Sequence, residues 1–235
     1  MQRISRFALL ALIALPVACD DDDDDGPTQP QQQVAQLRIV NATDIADVQV
    51  RRVGNSTPLA EDLDFRGVTQ SCVEVPAGEQ ALIFSASGVE LDISAATFEA
   101  DKSYTAFLVA AGSTRRAVIV ADDETASEGN NALRFINATA TAGDVYVTPP
   151  GGDPGAAFLV AGNLGPLARD NSLPGYAHRA TDHTQVRLFA TGVTTGNPRA
   201  DFALAGLPTS RLGTVVFTAD GSPAGPTAFL VTPCE

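Results

Sequence analysis

The sequence of 235 residues carries 28 acidic residues against 15 lysines and arginines, which gives a formal net charge of −13 at pH 7. Such an acidic chain repels phosphate backbones, so its composition argues against a nucleic-acid partner. Tryptophan is absent and there is a single methionine. Val, Ala, Thr and Gly are abundant instead, and this composition favours strands and turns over helices.

The amino-terminal residues 1–18 have the pattern of a signal peptide. Arg3 and Arg6 precede an apolar stretch over residues 7–18, which is too short to span a bilayer because spanning needs about 20 residues. Residues 15–19 resemble the lipobox of bacterial lipoproteins, and this resemblance implies cleavage before Cys19 and lipidation of that cysteine. The alternative is plain secretion, with Cys19 lost or unmodified.

Residues 19–36 are predicted to form a lipidated cysteine followed by a disordered tether. Six aspartates, residues 20–25, precede residues 26–33, which are rich in proline and glutamine and offer no apolar side chain to a core. Such a segment is expected to stay solvated and extended. A calcium site would need oxygens held in a defined cage, so a spacer is the preferred interpretation. About 200 residues remain to fold, which allows one large or two small domains.

The remaining chain contains an internal repeat. Residues 37–43 recur as residues 133–139 with five identities in seven positions, residues 47–50 recur as residues 144–147, and further echoes follow in the same order along the chain. The period of about 100 residues is the size of one small sandwich domain. The sequence therefore predicts a tandem duplication, with unit 1 over residues 37–123, unit 2 over residues 132–235 and an acidic connector between them.

Each predicted unit alternates apolar and polar residues in the manner of a half-buried strand. Leu37 and Ile39 are expected to face inward with Arg38 outward, and Leu133 inward with Arg134 outward. Short runs of this kind, separated by turn residues, predict an all-β fold. We expect two tandem antiparallel β-sandwich units, immunoglobulin-like or transthyretin-like, after the signal peptide and the disordered acidic tether.

The number of cysteines available for a disulfide depends on whether Cys19 carries lipid. If Cys19 carries lipid, Cys72 and Cys234 are left as an even pair, and a disulfide is permitted in an oxidising compartment. The two cysteines lie in different halves, so a bond between them requires the halves to pack side by side. The alternative is a pair of free thiols.

Few residues have the pattern of a catalytic or metal site. His178, Asp182 and His183 form the only cluster of metal-ligand types, but on an extended strand the two histidines would point to opposite faces. We therefore expect surface histidines, no metal and no cofactor. The sequence shows no nucleophile elbow, phosphate loop or paired-carboxylate motif, so no catalytic residue is assigned.

Two kinds of exposed segment are further candidates. Asn41, Asn55 and Asn137 begin the bare glycosylation pattern, although turn chemistry explains the first and third more simply because they recur at the end of the repeated strand. The proline- and glycine-rich residues 149–155 predict an exposed loop that is unique to the second unit. An ordinary inserted connection is the simpler interpretation of this loop.

Several of the repeated segments also carry a resemblance to a known family. Residues 38–43, 47–50, 63–69, 75–78 and 104–107 resemble the domain of unknown function 4397 family of bacterial envelope proteins, and parts of the second unit do so at residues 134–147 and 185–192. Cys72 stands where a tyrosine is common, as Tyr176 does in the second unit. The resemblance implies a sandwich fold and an exported, often anchored protein without an established activity.

These observations predict a non-catalytic, lipid-anchored protein of the bacterial cell envelope, facing the periplasm or the cell surface. It would present sandwich modules for binding, adhesion or surface structure, with the membrane as a partner through the lipid and a protein or glycan as a possible second partner. One alternative is an accessory docking subunit of an envelope complex. Another is an enzyme of unfamiliar type that uses His178 or His183.

Overall fold

The computed structural model describes residues 33–111, 113–167, 175–204, 207, 211–219 and 226–234. The predicted signal peptide, Cys19 and residues 20–32 of the predicted tether lie outside this part of the chain. None of the helices within the described ranges is long and apolar enough to cross a membrane.

Within the described residues, the first unit forms eight strands in two sheets. One sheet has the order β4-β1-β7-β8 and the other has the order β3-β2-β5-β6. The strands are β1 Val34–Ala42, β2 Val48–Arg52, β3 Pro58–Leu63, β4 Val73–Pro76, β5 Gly78–Ala86, β6 Val89–Phe98, β7 Ser103–Ala111 and β8 Thr114–Ala121.

The second unit repeats this order of strands. Its sheets run β12-β9-β15-β16 and β11-β10-β13-β14, and a short 3-10 helix, Ala156–Phe158, lies between β10 and β11. The strands are β9 Asn130–Ala138, β10 Gly143–Thr148, β11 Leu159–Leu164, β12 Ala177–Ala180, β13 Gln185–Ala190, β14 Ala200–Ala203, β15 Leu212–Thr218 and β16 Thr227–Val231.

The structure confirms an all-β fold with two tandem sandwich units. Most neighbouring strands are antiparallel, as expected, but β1 pairs with β7 in parallel and β9 pairs with β15 in parallel. Strand β1 also begins at Val34, so residues 34–36, predicted as the end of the tether, belong to the sandwich. Ala35 is fully buried there, which explains why this segment is ordered.

The cores of the two sandwiches confirm the predicted alternation. Leu37 and Ile39 are buried with residues of both sheets of the first unit, and Leu133 and Phe135 are buried in the same way in the second. Burial of these side chains supplies the main driving force for each sandwich, because each large aliphatic or aromatic side chain contributes about 1.5–3 kcal/mol.

A buried asparagine closes the same turn in each unit. The Asn41 amide donates to the carbonyl of Leu63 at 2.9 Å, and the Asn137 amide donates to that of Leu164 at 2.9 Å. In both turns the asparagine Oδ1 accepts from the backbone and hydroxyl of the threonine two residues later. Each side chain therefore ties the end of a strand in one sheet to the last strand residue of β3 or β11 in the other.

These asparagines fix the structural alignment of the repeat and correct one part of it. Val48 pairs with Leu63, and Gly143 pairs with Leu164. The sequence repeat matched Val48 with Val145 instead, two residues further on. A shift of two residues keeps the same side of the strand inward, so the alternation of apolar and polar residues could not reveal it.

The two units form one compact body over residues 32–235. A third apolar cluster joins the outer faces of the sheets that contain β1 and β9, and it includes Val40, Phe107, Ile136 and Val216. These two sheets are therefore covered on both faces, and β9 is buried along almost its whole length. The units pack side by side, which is the arrangement that a bond between Cys72 and Cys234 requires.

Candidate functional site

The contact between the units contains two equivalent positions, built around Arg38 and Arg134. Arg38 lies in register with Thr105 of β7, and Arg134 lies in register with Thr214 of β15. Both arginines project from the outer face of their own sheet, as the sequence predicted. That face is covered by the other unit, however, so Arg134 is only 6% exposed.

Arg134 is held in a buried polar cluster that joins the units. Its Nη1 lies 3.3 Å from Oδ1 of Asp122, which follows β8, and its Nη2 donates to the carbonyl of Ala121 at 2.6 Å. The Tyr176 hydroxyl donates to Asp122 Oδ1 at 3.2 Å, and the guanidinium carbon lies 4.2 Å from the centre of the Tyr176 ring. Thr105 donates to the other carboxylate oxygen at 2.7 Å.

The electrostatics of this cluster follow from its burial. The Asp122 side chain is 1% exposed, and burial raises the pKa of its carboxyl although Thr105, Arg134 and Tyr176 oppose the shift. The pKa of Tyr176 is also raised, mainly by burial and then by the charge of Asp122. The tyrosine therefore acts as a neutral hydrogen-bond donor at neutral pH.

The equivalent position in the first unit is closed by a disulfide. Cys72, just before β4, is bonded to Cys234, which follows β16, across 162 residues of sequence. Arg38 donates from Nη2 to Cys72 Sγ at 3.3 Å and from Nη1 to the carbonyl of Thr69 at 3.0 Å. The carbonyl of Cys234 accepts from the Ser103 hydroxyl at 3.2 Å.

An open groove of about 750 Å³ lies beside this disulfide. It is bounded by both units and by the connector that joins them. Its lining combines two cations, one carboxylate, two threonines and several apolar side chains, and it includes Arg38, Arg211, Glu124, Thr125, Thr232 and Pro233. These side chains offer charges and hydroxyls for hydrogen bonding, and among the described lining residues there is no nucleophile paired with a base.

The two histidines that the sequence singled out contact different groups. His178 Nε2 lies 3.5 Å from Glu124 Oε1, and the His178 side chain is 39% exposed. His183 Nε2 lies 3.8 Å from Asp182 Oδ1, and its ring packs against Phe158. Within the described ranges no group of three potential ligands could hold a metal ion.

The other candidates are explained by local structure. Asn41 and Asn137 are buried and use their amides in the turns described above, so neither is available for glycosylation in the folded protein. The loop at residues 149–155 is anchored by Arg187, whose Nη1 donates to the carbonyl of Gly152 at 2.6 Å. It belongs to the connection between β10 and β11, which is longer than the equivalent connection between β2 and β3 in the first unit.

Sequence reasoning missed Asp122, although it is the centre of the buried cluster. The residue begins an acidic segment, which is the pattern of a solvated connector. One signal was available: strands β7 and β9 carry apolar residues on both faces, and strands of that kind are buried on both sides. That pattern predicts that the outer face of each of these sheets is covered, so polar residues on the outer face are buried as well.

Comparison with known families gives one match. The family described as Domain of unknown function (DUF4397) matches residues 24–148, which include the first unit and the beginning of the second. No curated protein matches the chain.

Proposed function

Since this chain belongs to the DUF4397 family, with a match over more than half of its length, we propose that it is an exported, lipid-anchored protein of the bacterial cell envelope. Its two sandwich units present surfaces for binding, adhesion or envelope structure and catalyse no reaction. It takes no cofactor and no nucleic acid, and it meets the membrane through the lipid on Cys19.

The disulfide between the units is the observation that carries this proposal. Disulfides persist in oxidising compartments and are rare in the cytosol. The bond between Cys72 and Cys234 therefore favours a location outside the cytosol. It also uses two of the three cysteines in the sequence, which leaves Cys19, at the end of the apolar amino-terminal segment, as the cysteine for lipid.

A presenting role is supported by the way the units are joined. The disulfide, the Asp122 cluster and the apolar cluster of the contact all cross between them. Such connections resist relative motion, so a ligand or partner would meet a rigid surface rather than two modules on a hinge. Rigid surfaces bind at a lower entropic cost, which suits adhesion and structural roles better than catalysis by domain closure.

Membrane fractionation of a Cys19→Ala variant tests the anchor. In a bacterial host that lipidates exported proteins, we expect the wild type in the membrane fraction and Cys19→Ala in the soluble exported fraction. A matched Cys72→Ala/Cys234→Ala variant should remain with the membrane because it retains Cys19. A Cys19→Ala variant that stays membrane-bound would overturn lipid anchoring, and a native mass without lipid on the amino-terminal peptide would do the same.

Docking in an envelope complex is the second candidate function. Strand β6 is at the edge of its sheet, and its Val89 and Ile93 are 63% and 47% exposed. Exposed apolar residues on an edge strand favour a protein partner. Crosslinking at the cell surface should then recover a defined partner that Val89→Lys/Ile93→Lys loses, with Glu90→Lys as the matched control. Recovery of the same partner with all three proteins would contradict docking through β6.

A further inference from the structure

We propose that the groove beside Arg38 binds a small organic acid through its carboxylate group. This ligand class specifies the binding role of the proposed function, and the inference therefore rests on that function. The Arg38 position is equivalent to the Arg134 position, where a carboxylate from the chain itself is already in place.

The occupied position defines the interaction. The Arg134 guanidinium contacts the Asp122 carboxylate at 3.3 Å, and both side chains are almost fully buried. A planar guanidinium matches the geometry of a carboxylate, and arginine is the usual partner for such groups. The second unit therefore shows which ligand chemistry this strand position accepts.

The strand registers identify what replaces that carboxylate in the first unit. Val120 of β8 pairs with Thr105 of β7, and Val231 of β16 pairs with Thr214 of β15. Two residues after Val120 stands Asp122, and two residues after Val231 stands Pro233. Proline has no side-chain acceptor and no charge, so the position equivalent to Asp122 offers Arg38 no carboxylate.

The pairings of β4 and β12 identify a second difference between the two positions, the residue beside the arginine. Val73 pairs with Leu37, and Ala177 pairs with Leu133, so Cys72 takes the place of Tyr176. Arg38 consequently donates to a disulfide sulfur, which is a weak acceptor. It forms no ion pair with any of the residues that the structure describes.

The groove has the size and polarity for a small acid. Its volume of about 750 Å³ lies within the range of ligand pockets, roughly 300–1,000 Å³. Arg38 and Arg211 supply positive charge, Thr125 and Thr232 supply hydroxyls, and Leu212 supplies an apolar wall. Glu124 also borders the groove and lies 3.5 Å from His178, so its carboxylate disfavours ligands with several negative charges.

Calorimetric titration of the purified, disulfide-bonded protein tests the proposal. The probes are glucuronate and hexanoate, with glucose and hexanamide as neutral controls of matched shape and inorganic phosphate as a different anion. At least one carboxylate should bind, and its neutral control should not. A titration in which neither acid binds, or in which phosphate binds as tightly as the acids, would overturn the assignment.

Two substitutions locate the binding. Arg38→Gln should weaken carboxylate binding by about tenfold or more, because a charge-assisted hydrogen bond contributes about 1.5–3 kcal/mol. Pro233→Asp should abolish it by supplying the internal carboxylate that Asp122 provides in the other unit. Arg51→Gln, a matched arginine substitution outside the groove, should leave binding unchanged.

The outcomes are separable from those for the anchor. Equal binding by wild type, Arg38→Gln and Pro233→Asp would overturn the site, while the Cys19→Ala fractionation result would still stand. Non-reducing mass measurement of each variant confirms that Cys72 and Cys234 remain bonded. If Arg38→Gln fails to fold, Arg38→Lys provides the same comparison, since lysine keeps the charge but lacks the planar pair of donors.

Discussion

The Arg38 and Arg134 positions occupy equivalent strands but are joined to the neighbouring unit by different chemistry. At Arg38 the link is the Cys72–Cys234 disulfide, beside an open groove. At Arg134 the link is a buried carboxylate that accepts hydrogen bonds from both units. A repeated backbone therefore does not impose a repeated interaction. Cys72 and Cys234 stand at the Tyr176 and Asp123 positions, and Pro233 stands at the Asp122 position.

The two links also stabilise the protein by different physical routes. A disulfide acts mainly on the unfolded chain, whose conformational freedom it restricts. A buried ion pair acts in the folded state, where the attraction and hydrogen bonds must offset the cost of removing two charges from water. Removing the disulfide should therefore cost more than removing any single member of the Asp122 cluster.

Loss of the disulfide is expected to have the largest effect. Cys72→Ala/Cys234→Ala should lower the free energy of unfolding by about 5 kcal/mol, the chain-entropy value for a loop closed across 162 residues. Urea unfolding at pH 7 measures this change. Reductant should lower the wild-type midpoint to a similar extent and leave that of the double variant unchanged. A wild-type midpoint that is unchanged by the reductant would show that the disulfide does not stabilise the fold.

Asp122→Ala is expected to have the next largest effect. It removes the acceptor shared by Arg134, Thr105 and Tyr176 and leaves the Arg134 guanidinium buried without its carboxylate. Such a loss costs about 3–5 kcal/mol, again measured by urea unfolding. Asp123→Ala is the matched control, because this neighbouring aspartate is exposed. Equal effects of the two substitutions would show that the cluster does not stabilise the contact.

Tyr176→Phe separates the two contacts of the tyrosine. It removes the hydroxyl that donates to Asp122 but keeps the ring beside Arg134. The free energy of unfolding should fall by about 1.5–3 kcal/mol, the contribution of one hydrogen bond to a charged group. Tyr176→Leu should cost more, since it also removes the aromatic face. If the phenylalanine and leucine variants are equally stable, the ring makes no specific contribution.

Much of the architecture was predictable because it depends on periodicity. The alternation around Leu37 and Leu133 identifies strands, and their recurrence identifies two units. The positions of Cys72 and Cys234 in different halves meant that a bond between them required side-by-side packing, and the structure has this packing. Each of these features is local in sequence or follows from counting residues of one type.

The features that sequence reasoning missed depend on contacts between distant strands. The burial of Asp122 follows from the packing of one unit on the other. The apolar residues on both faces of β7 and β9 indicate that contact, but the acidic segment itself does not distinguish Asp122 from its exposed neighbours. The pairing of Gly143 with Leu164 depends on a turn one residue shorter than in the first unit. A shift of two residues in the alignment keeps the same residues on the buried face, so the alternation of apolar and polar residues could not reveal the error.

The smallest expected effect is a pH dependence that belongs to Asp122 alone, since the equivalent Pro233 cannot titrate. Burial raises the pKa of the Asp122 carboxyl above its ordinary 3.8, while Thr105, Arg134 and Tyr176 offset part of the rise. Between 3.8 and the raised pKa, the folded protein therefore binds more protons at this site than the unfolded chain. Its contribution to stability is present below pH 3.8 and is lost as pH rises through the raised pKa. Subtracting the unfolding free energy of Asp122→Asn from that of the wild type should give a difference that decreases with pH across this window. A difference that increases would mean that the attraction of Arg134 exceeds the effect of burial and lowers the pKa.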